Sequence, residues 1–234
     1  MKIFKNLDEA VNSVNPTNTP FLVKSFVDKL SCDKALVDLT NYQQEFSENE
    51  RFHGENWYYL VDKFDSQFFS FNLNSLNSLQ SNILSSMYLK LFDAYRALGD
   101  DIERDFEFHV QNEFDGKTIN PLVFWYPHGT GKFDWHQHPA TWQKFQLLIN
   151  LTEPEEDYQG GFTHIEIEDG SVEVFDHNFE KGDMFCFPYT CWHKVAPIFK
   201  GRSGETSKRV SLLMPLHPRL GVETKIRDKD GIVR

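Results

Sequence analysis

Three histidines in the second half of the chain have a spacing that is typical of a metal site. His136 and His138 lie two residues apart, and His193 follows a turn-and-strand segment at 182–188. Side chains two residues apart in a β-strand point to the same face, so both imidazoles, together with Asp134, would line one wall. Two imidazoles from one strand and a third from another can hold one divalent ion and leave positions open for further ligands. The spacing therefore predicts a metal site formed by His136, His138 and His193.

An arginine follows these histidines inside an apolar segment at 209–215. Burying a guanidinium without an anionic partner is very costly, and its planar fork suits a carboxylate held by two hydrogen bonds. With a metal site nearby, a small dicarboxylate that bridges the metal and Arg209 would satisfy this requirement. A buried pair between Arg209 and an Asp or Glu of the protein is the alternative.

The elements that must position these residues differ between the two halves of the chain. Apolar positions over 23–39 have a helical spacing, and a stripe at four-residue steps predicts a second helix packed on a sheet: Leu79, Ile83, Met87, Leu91 and Tyr95. From about residue 121, seven or eight short apolar or alternating segments separated by Gly, Pro, Asp and Ser predict strands, with a hairpin at Asp169 and Gly170. The pattern predicts a mainly β jelly roll or barrel with N-terminal supporting helices, an α+β arrangement.

Composition limits the class of protein. The chain has 234 residues, 24 Lys plus Arg against 35 Asp plus Glu, and a net charge of -11, which disfavours nucleic acid as a partner. No segment has the length and apolarity of a membrane span or export signal, and three cysteines without a repeated spacing indicate a reducing compartment, so we expect a cytoplasmic protein. We expect one domain over 1–234, with a mainly helical support region at 1–118, a β core at 119–220 and a tail at 221–234.

Several segments, taken in order, resemble the iron(II)- and 2-oxoglutarate-dependent oxygenases, and most closely their prolyl-hydroxylase-like branch. The resemblance covers roughly residues 120 to 216, and the order and spacing of the segments carry it. The matching segments are YPHG at 126–129, HQH at 136–138, LINLTE at 148–153, DYQGGFT at 157–163, GDMFCFP at 182–188, WHKVAP at 192–197 and RVS at 209–211.

The resemblance implies a double-stranded β-helix, a distorted jelly roll, with iron bound by His136 and His193. It implies that Arg209 binds the far carboxylate of 2-oxoglutarate, with Ser211 and Tyr126 as further contacts. The implied cofactors are Fe(II), 2-oxoglutarate as co-substrate and O2, with ascorbate as a reductant. The implied reaction is hydroxylation of a small molecule, an amino acid or a peptide, with release of succinate and CO2.

The sequence departs from the family at the acidic ligand position, which His138 occupies. A neutral imidazole there leaves the site about one charge unit more positive. His138 either ligates directly, or Asp134 supplies the acid, or the position stays open; a register with His138-Pro139-Ala140 would instead resemble 2-oxoglutarate-dependent halogenases. We favour direct ligation by His138 and expect His136, His138, His193 and Arg209 to form the catalytic set.

Two other kinds of protein fit parts of this pattern. Three histidines also hold catalytic zinc in hydrolases, where Arg209 would have no evident task, and 182–193 resembles the spacing in cupin-like binding proteins, except that Thr190 replaces a glycine. Lys144 and Gln146 are the nearest polar candidates for substrate or 2-oxoglutarate contacts. Four aromatic residues are candidates for the cavity wall: Trp125, Phe133, Trp142 and Trp192.

Overall fold

A computed structural model describes residues 1–47, 57–59, 69–72, 82–99, 122–138, 143–167, 170–175, 178–213 and 225–226. Within these ranges the chain is mainly β, with fifteen strands and three α-helices. The helices are α1 (Leu7–Val11), α2 (Lys29–Ser47) and α3 (Asn82–Ala97). In the described part of the chain, every helix is too short or too polar to span a bilayer.

The larger sheet has eight strands in the order β1-β2-β11-β7-β14-β5-β4-β3. Apart from the parallel pair of β1 and β2, the neighbours in this sheet are antiparallel. Its strands are β1 (Lys2–Phe4), β2 (Phe21–Val23), β3 (Trp57–Tyr59), β4 (Phe69–Asn72), β5 (Leu122–Pro127), β7 (Phe145–Asn150), β11 (Met184–Pro188) and β14 (Lys208–Leu213).

The smaller sheet has five antiparallel strands in the order β10-β9-β12-β6-β15. They are β6 (Phe133–Gln137), β9 (Thr163–Glu166), β10 (Val172–Val174), β12 (His193–Val195) and β15 (Lys225–Ile226). A further antiparallel pair, β8 (Gln159–Gly160) and β13 (Ile198–Phe199), forms a two-stranded sheet. Buried side chains of the two larger sheets share apolar clusters: Ile165 and Phe185 belong to one, and Tyr126 and Phe133 belong to another.

The larger sheet separates two environments because successive side chains of a strand point to opposite faces. On β14, Val210 and Leu212 belong to the apolar cluster that includes Leu84, Met87 and Leu91 of α3. The alternate residues of the same strand, at 209, 211 and 213, line the interior space between the sheets. One face of the sheet is therefore covered by helices, and the other is free to carry polar groups into the barrel.

The predicted mainly β core with supporting helices is confirmed, and the apolar stripe falls on α3, although Leu79 lies outside the described residues. The helix expected over 23–39 begins later, at Lys29. Val23 instead ends β2, where the apolar Phe21–Val23 segment pairs with β11. Helix α2 begins just after Asp28, whose carboxylate accepts a hydrogen bond of 2.8 Å from the Ser31 N–H.

Four strands lie within 1–118 beside the helices, and β15 falls in the segment that we expected to be a tail. The expected hairpin joins β9 to β10, although Asp169 lies outside the described residues. Gly170 has φ +81, a left-handed conformation that glycine adopts without steric cost. The position of β15 is relevant to the candidate site, because Ile226 pairs with His136.

The turn before β11 is fixed by a buried carboxylate. Asp183 is 1% exposed and accepts hydrogen bonds from the Ser25 N–H at 2.8 Å, the Glu180 N–H at 2.9 Å and Lys24 Nζ at 2.7 Å. Gly182 beside it has φ +90, and a Cβ there would lie 2.0 Å from the Val27 carbonyl oxygen. The Gly-Asp pair therefore joins the β2–α2 loop to β11.

Replacing Asp183 by alanine should lower the free energy of unfolding by about 3 kcal/mol, because two backbone N–H groups and Lys24 lose a buried, charged acceptor. Urea denaturation of the parent and the variant measures the change. Asp33→Ala is the control, since Asp33 is 56% exposed and pairs only with Lys181 in the described ion pairs; it should cost less than about 1 kcal/mol. Equal effects of the two substitutions would contradict this role of Asp183.

Candidate metal and co-substrate site

The three predicted histidines come together inside the barrel. His136 on β6 and His193 on β12 are direct cross-strand partners, and their ring centroids are 4.0 Å apart. His138 directly follows β6, with its ring centroid 4.6 Å from that of His193. One nitrogen of each ring lies within 4.8 Å of the others. The β-strand alternation therefore produces the arrangement that the spacing predicts.

Two of the rings are oriented by the backbone. His136 Nδ1 is 2.8 Å from the carbonyl oxygen of Asp134, and His193 Nδ1 is 3.0 Å from that of Cys191. A carbonyl oxygen only accepts hydrogen bonds, so each Nδ1 carries the proton and each Nε2 keeps its lone pair. Such a partner at the second ring nitrogen is what orients metal-binding histidines in proteins.

Burial keeps these imidazoles uncharged. Desolvation, with added repulsion from the neighbouring imidazoles, lowers the pKa of His136 and His138 well below the usual value. Desolvation also lowers the pKa of His193 from 6.5 to about 4, although its hydrogen bond to Cys191 opposes this. Near neutral pH all three rings are therefore in the form that binds a metal ion.

The donor set fits a divalent transition metal. Nδ1 of His138 is buried and has no hydrogen-bond partner among the described residues, and the lone pairs of His136 and His193 lie in the same small space. Uncompensated acceptors in a water-poor interior are costly, and imidazole is a ligand that suits iron and zinc. Asp134 is half-buried, accepts a hydrogen bond from the Trp135 N–H at 2.8 Å, and is not among the described groups close enough to share an ion.

A cavity between the two sheets connects the histidines to the predicted co-substrate residues. Its volume is about 40 Å³, room for about three water molecules. Within the described residues, the lining contains no Asp or Glu. It consists of Phe124, Tyr126, Phe133, His136, His138, Gln146, Leu148, Thr163, Phe187, His193, Val195, Arg209, Ser211 and Leu213.

Arg209 is 1% exposed and is held by neutral oxygens. Its Nη2 donates to Thr163 Oγ1 at 3.0 Å, and its Nη1 donates to the carbonyl of Gly161. Tyr126 is its direct cross-strand partner on β5, and burial raises the pKa of the Tyr126 phenol well above its usual value, an effect that the charge of Arg209 partly offsets. Ser211, two residues further along the same face, has a buried hydroxyl without a hydrogen-bond partner in the described structure.

The other sequence candidates divide between the cavity and the rest of the molecule. Gln146 and Phe133 line the cavity, whereas Lys144 is exposed and donates to the Gly99 carbonyl at 3.0 Å. Trp125 packs with the helices, and Trp192 lines a separate surface pocket. Trp142 lies outside the described residues.

Sequence reasoning missed two neighbours of the site. Thr163 entered the sequence comparison only as the last residue of DYQGGFT at 157–163, but its hydroxyl accepts from Arg209. Tyr189 was not considered, and its ring centroid lies 4.5 Å from that of His138. The segment GDMFCFP at 182–188 ends just before Tyr189 but gave no signal for it, because contact with His138 depends on the pairing of distant segments.

Comparison with known proteins gives the fold. No family model and no curated protein matches the sequence. A prolyl-4-hydroxylase of Pseudomonas putida has a TM-score of 0.59 at 14% identity, covering 90% of this chain and 98% of its own. A Trichoplax adhaerens prolyl hydroxylase, in complex with a hypoxia inducible factor peptide fragment, has a TM-score of 0.60 at 11% identity, covering 90% and 88%. An oxidoreductase of the 2OG-Fe(II) oxygenase family from Burkholderia pseudomallei has a TM-score of 0.50 at 10% identity, covering 92% and 94%.

These similarities define the class of fold to which the chain belongs. It is the jelly roll, or double-stranded β-helix, of the 2-oxoglutarate and iron(II) oxygenase structures. The resemblance predicted from the sequence is confirmed at this level, and the three-histidine cluster lies inside that fold.

The metal-free protein should lose stability as the pH falls from about 6.5 to about 4. Below pH 6.5 the unfolded chain protonates His193 while the folded chain, in which the pKa is about 4, does not, so protonation favours unfolding. His193 alone contributes about 3 kcal/mol to this loss. Urea denaturation of chelator-treated protein across this pH range measures it.

His193→Asn should show a smaller loss of stability over the same range, and His128→Gln is the control. His128 lies in a turn, with Nε2 3.5 Å from the exposed carboxylate of Glu205. Equal pH dependence in the parent and His193→Asn would show that the burial of this imidazole does not affect its protonation.

Proposed function

We propose that this protein is an iron(II)- and 2-oxoglutarate-dependent oxygenase that hydroxylates a small molecule, an amino acid or a peptide and releases succinate and CO2. The observation that carries the proposal is the shared cavity, in which three uncharged imidazoles and a buried arginine line one space. That cavity lies inside a fold shared with 2-oxoglutarate and iron(II) oxygenases. A zinc hydrolase would use the imidazoles but gives no reason to bury Arg209 among them.

His136, His138 and His193 would hold the ferrous ion. His136 and His193 would bind through Nε2, since their Nδ1 atoms are engaged by backbone carbonyls. When bound, iron together with 2-oxoglutarate supplies the activation of O2 that amino-acid side chains cannot supply themselves. The protein's own residues fix the ligand positions and keep the site free of charged competitors.

Arg209, Ser211 and Tyr126 would bind 2-oxoglutarate at the carboxylate remote from the metal. Arg209 is held in place by Thr163 and Gly161, so its guanidinium needs little reorganisation when an anion arrives. The buried hydroxyl of Ser211 can donate to a carboxylate oxygen. The absence of Asp and Glu from the described lining removes a source of repulsion for the diacid.

Aromatic rings would keep water out of the reaction site. The Phe133 ring stacks on His136 at 3.7 Å between centroids, and the Phe187 ring lies 4.9 Å from His193. Both phenylalanine rings line the cavity that the diacid would enter. Closure of the rings around the bound diacid would then exclude water from the site.

A peptide is bound to the Trichoplax adhaerens prolyl hydroxylase, which supports an amino-acid or peptide substrate for this chain as one of the classes proposed. Ascorbate is included among the proposed assay components because it keeps iron in the ferrous state.

The proposal is tested by adding Fe(II), ascorbate and 2-oxoglutarate without oxygen and recording the visible absorption spectrum. We expect the weak band of an iron–2-oxoglutarate complex, followed by succinate and CO2 when O2 is admitted. Zn(II) in place of Fe(II) is the control and should give neither. An absence of both the band and succinate in protein shown to contain one iron per chain would contradict the proposal.

His138→Asp should retain iron, whereas His138→Ala should bind it at least tenfold more weakly. The aspartate restores an anionic ligand at the position of the imidazole, and the alanine removes a ligand. Metal affinity is measured by competition with a chelator. Equal iron affinity in His138→Ala and the parent would exclude His138 as a ligand.

Arg209→Gln should weaken 2-oxoglutarate binding by about 2 to 4 kcal/mol, which is roughly 30-fold to 1,000-fold, because a buried anion loses its countercharge. Binding is measured by calorimetry on iron-loaded protein without oxygen. Arg202→Gln is the matched control, because Arg202 is 75% exposed and pairs with Glu156 at the surface. Unchanged affinity in Arg209→Gln, in protein that melts as the parent does, would contradict the assignment.

A further inference from the structure

One buried polar side chain in the cavity is not explained by the proposed binding of iron or 2-oxoglutarate. Gln146 on β7 is 1% exposed and lines the cavity with the three histidines. Its Oε1 is buried and has no hydrogen-bond partner in the part of the chain that the structure describes. Leaving a buried acceptor unsatisfied is destabilising, so the position of this oxygen calls for a ligand that donates to it.

The orientation of the Gln146 amide is fixed by its nitrogen. Nε2 donates to the carbonyl oxygen of Leu147 at 2.8 Å and to the hydroxyl oxygen of Tyr95 at 3.2 Å. Since a carbonyl oxygen cannot donate, the amide must present nitrogen to Leu147, and Oε1 is the atom left for other partners.

Tyr95 is itself rigid, which makes the orientation of Gln146 rigid too. Its ring is fully buried on α3 and stacks on Phe145 at 5.4 Å between centroids. Its hydroxyl oxygen also accepts from the Leu147 N–H at 2.8 Å, and the side-chain amide of Gln143 lies 2.9 Å from the same oxygen. The helix therefore holds the amide before any ligand binds.

Gln146 lies toward the histidine end of the cavity rather than beside Ser211. It is the cross-strand partner of Phe187, whose ring centroid is 4.9 Å from that of His193. Ser211 pairs with Asn150, four residues further along β7, a separation of about 13 Å at the usual rise per residue of a strand. The acceptor atom Oε1 would in any case repel a carboxylate, so Gln146 is not one of the residues proposed to bind the diacid.

We propose that Gln146 Oε1 is a specificity-determining acceptor for a neutral N–H or O–H group of the primary substrate, and that Tyr95 positions it. The assignment of this ligand to the primary substrate rests on the proposed function. The donor is neutral, because a cation would lie beside the metal ion proposed for the histidines in a lining without described acidic groups. Amides and alcohols are the substrate classes that carry such a donor.

The test compares acetamide, which donates through its N–H groups, with acetone, which has a similar size and no donor. Both are titrated by saturation-transfer NMR into zinc-loaded protein saturated with 2-oxoglutarate, which is diamagnetic and does not turn over. We expect acetamide to bind at least tenfold more tightly than acetone to the parent. Equal affinities, or no binding of acetamide, would overturn the proposal.

Three variants separate recognition from folding. Gln146→Leu should remove the preference for acetamide, and Tyr95→Phe should reduce it because the amide loses one of its two fixed partners. Lys144→Gln changes an exposed residue of the neighbouring segment and should leave the preference as in the parent. A preference that persists in Gln146→Leu, in protein with parental melting behaviour, would contradict the role of Oε1.

The same titration on metal-free protein separates this proposal from the proposed function. The orientation of Gln146 depends on Leu147 and Tyr95 and not on a metal, so the preference for acetamide should persist there. If the protein binds neither iron nor 2-oxoglutarate but still prefers acetamide to acetone, the proposed acceptor site stands and the proposed oxygenase function is refuted. Loss of the preference in protein that binds both would refute the acceptor site alone.

Discussion

Three imidazoles lie side by side between two β-sheets, those of His136 and His193 buried and that of His138 half-buried, and each must stay uncharged there. Desolvation lowers their pKa values, and two backbone carbonyls fix the tautomers of His136 and His193. Lone pairs in such a space are unfavourable unless a cation or a donor satisfies them. The fold must therefore hold these groups against their tendency to be hydrated, and the large apolar cluster around α3 and the eight-stranded sheet supplies the stability that this requires.

Because side chains alternate along β14 and β7, one sheet can pack against the helices on one face and line the candidate site on the other. Val210 and Leu212 pack toward the helices, while Arg209 and Ser211 face the interior. A shift of one residue in the pairing would turn Arg209 into the helix-facing core and an aliphatic side chain into the cavity. The register of the sheet, which Asp183 helps to fix at the start of β11, therefore determines which side chains reach the site.

The sequence predicts the site better than it predicts the surrounding fold. The two-residue period of a strand is nearly invariant, so the sequence alone predicts that His136 and His138 face the same side. The apolar residues around Arg209 likewise predict that its side chain is buried. The contact of Thr163 with Arg209 depends on two segments far apart in the chain. Likewise, Val23 was included in the helix predicted over 23–39, but it ends a strand because Phe21–Val23 pairs with β11. Pairing between distant segments has no local signal, which is why β15 was not foreseen.

The central claim is that one ferrous ion is held by three imidazoles in the cavity that Arg209 also lines. Its most direct test is a crystal structure of the protein grown without oxygen in the presence of Fe(II) and 2-oxoglutarate. We expect an iron atom bound by Nε2 of His136, Nε2 of His193 and a ring nitrogen of His138, with the diacid extending from the metal to Arg209. An iron atom bound elsewhere, or a diacid that does not reach Arg209, would contradict it.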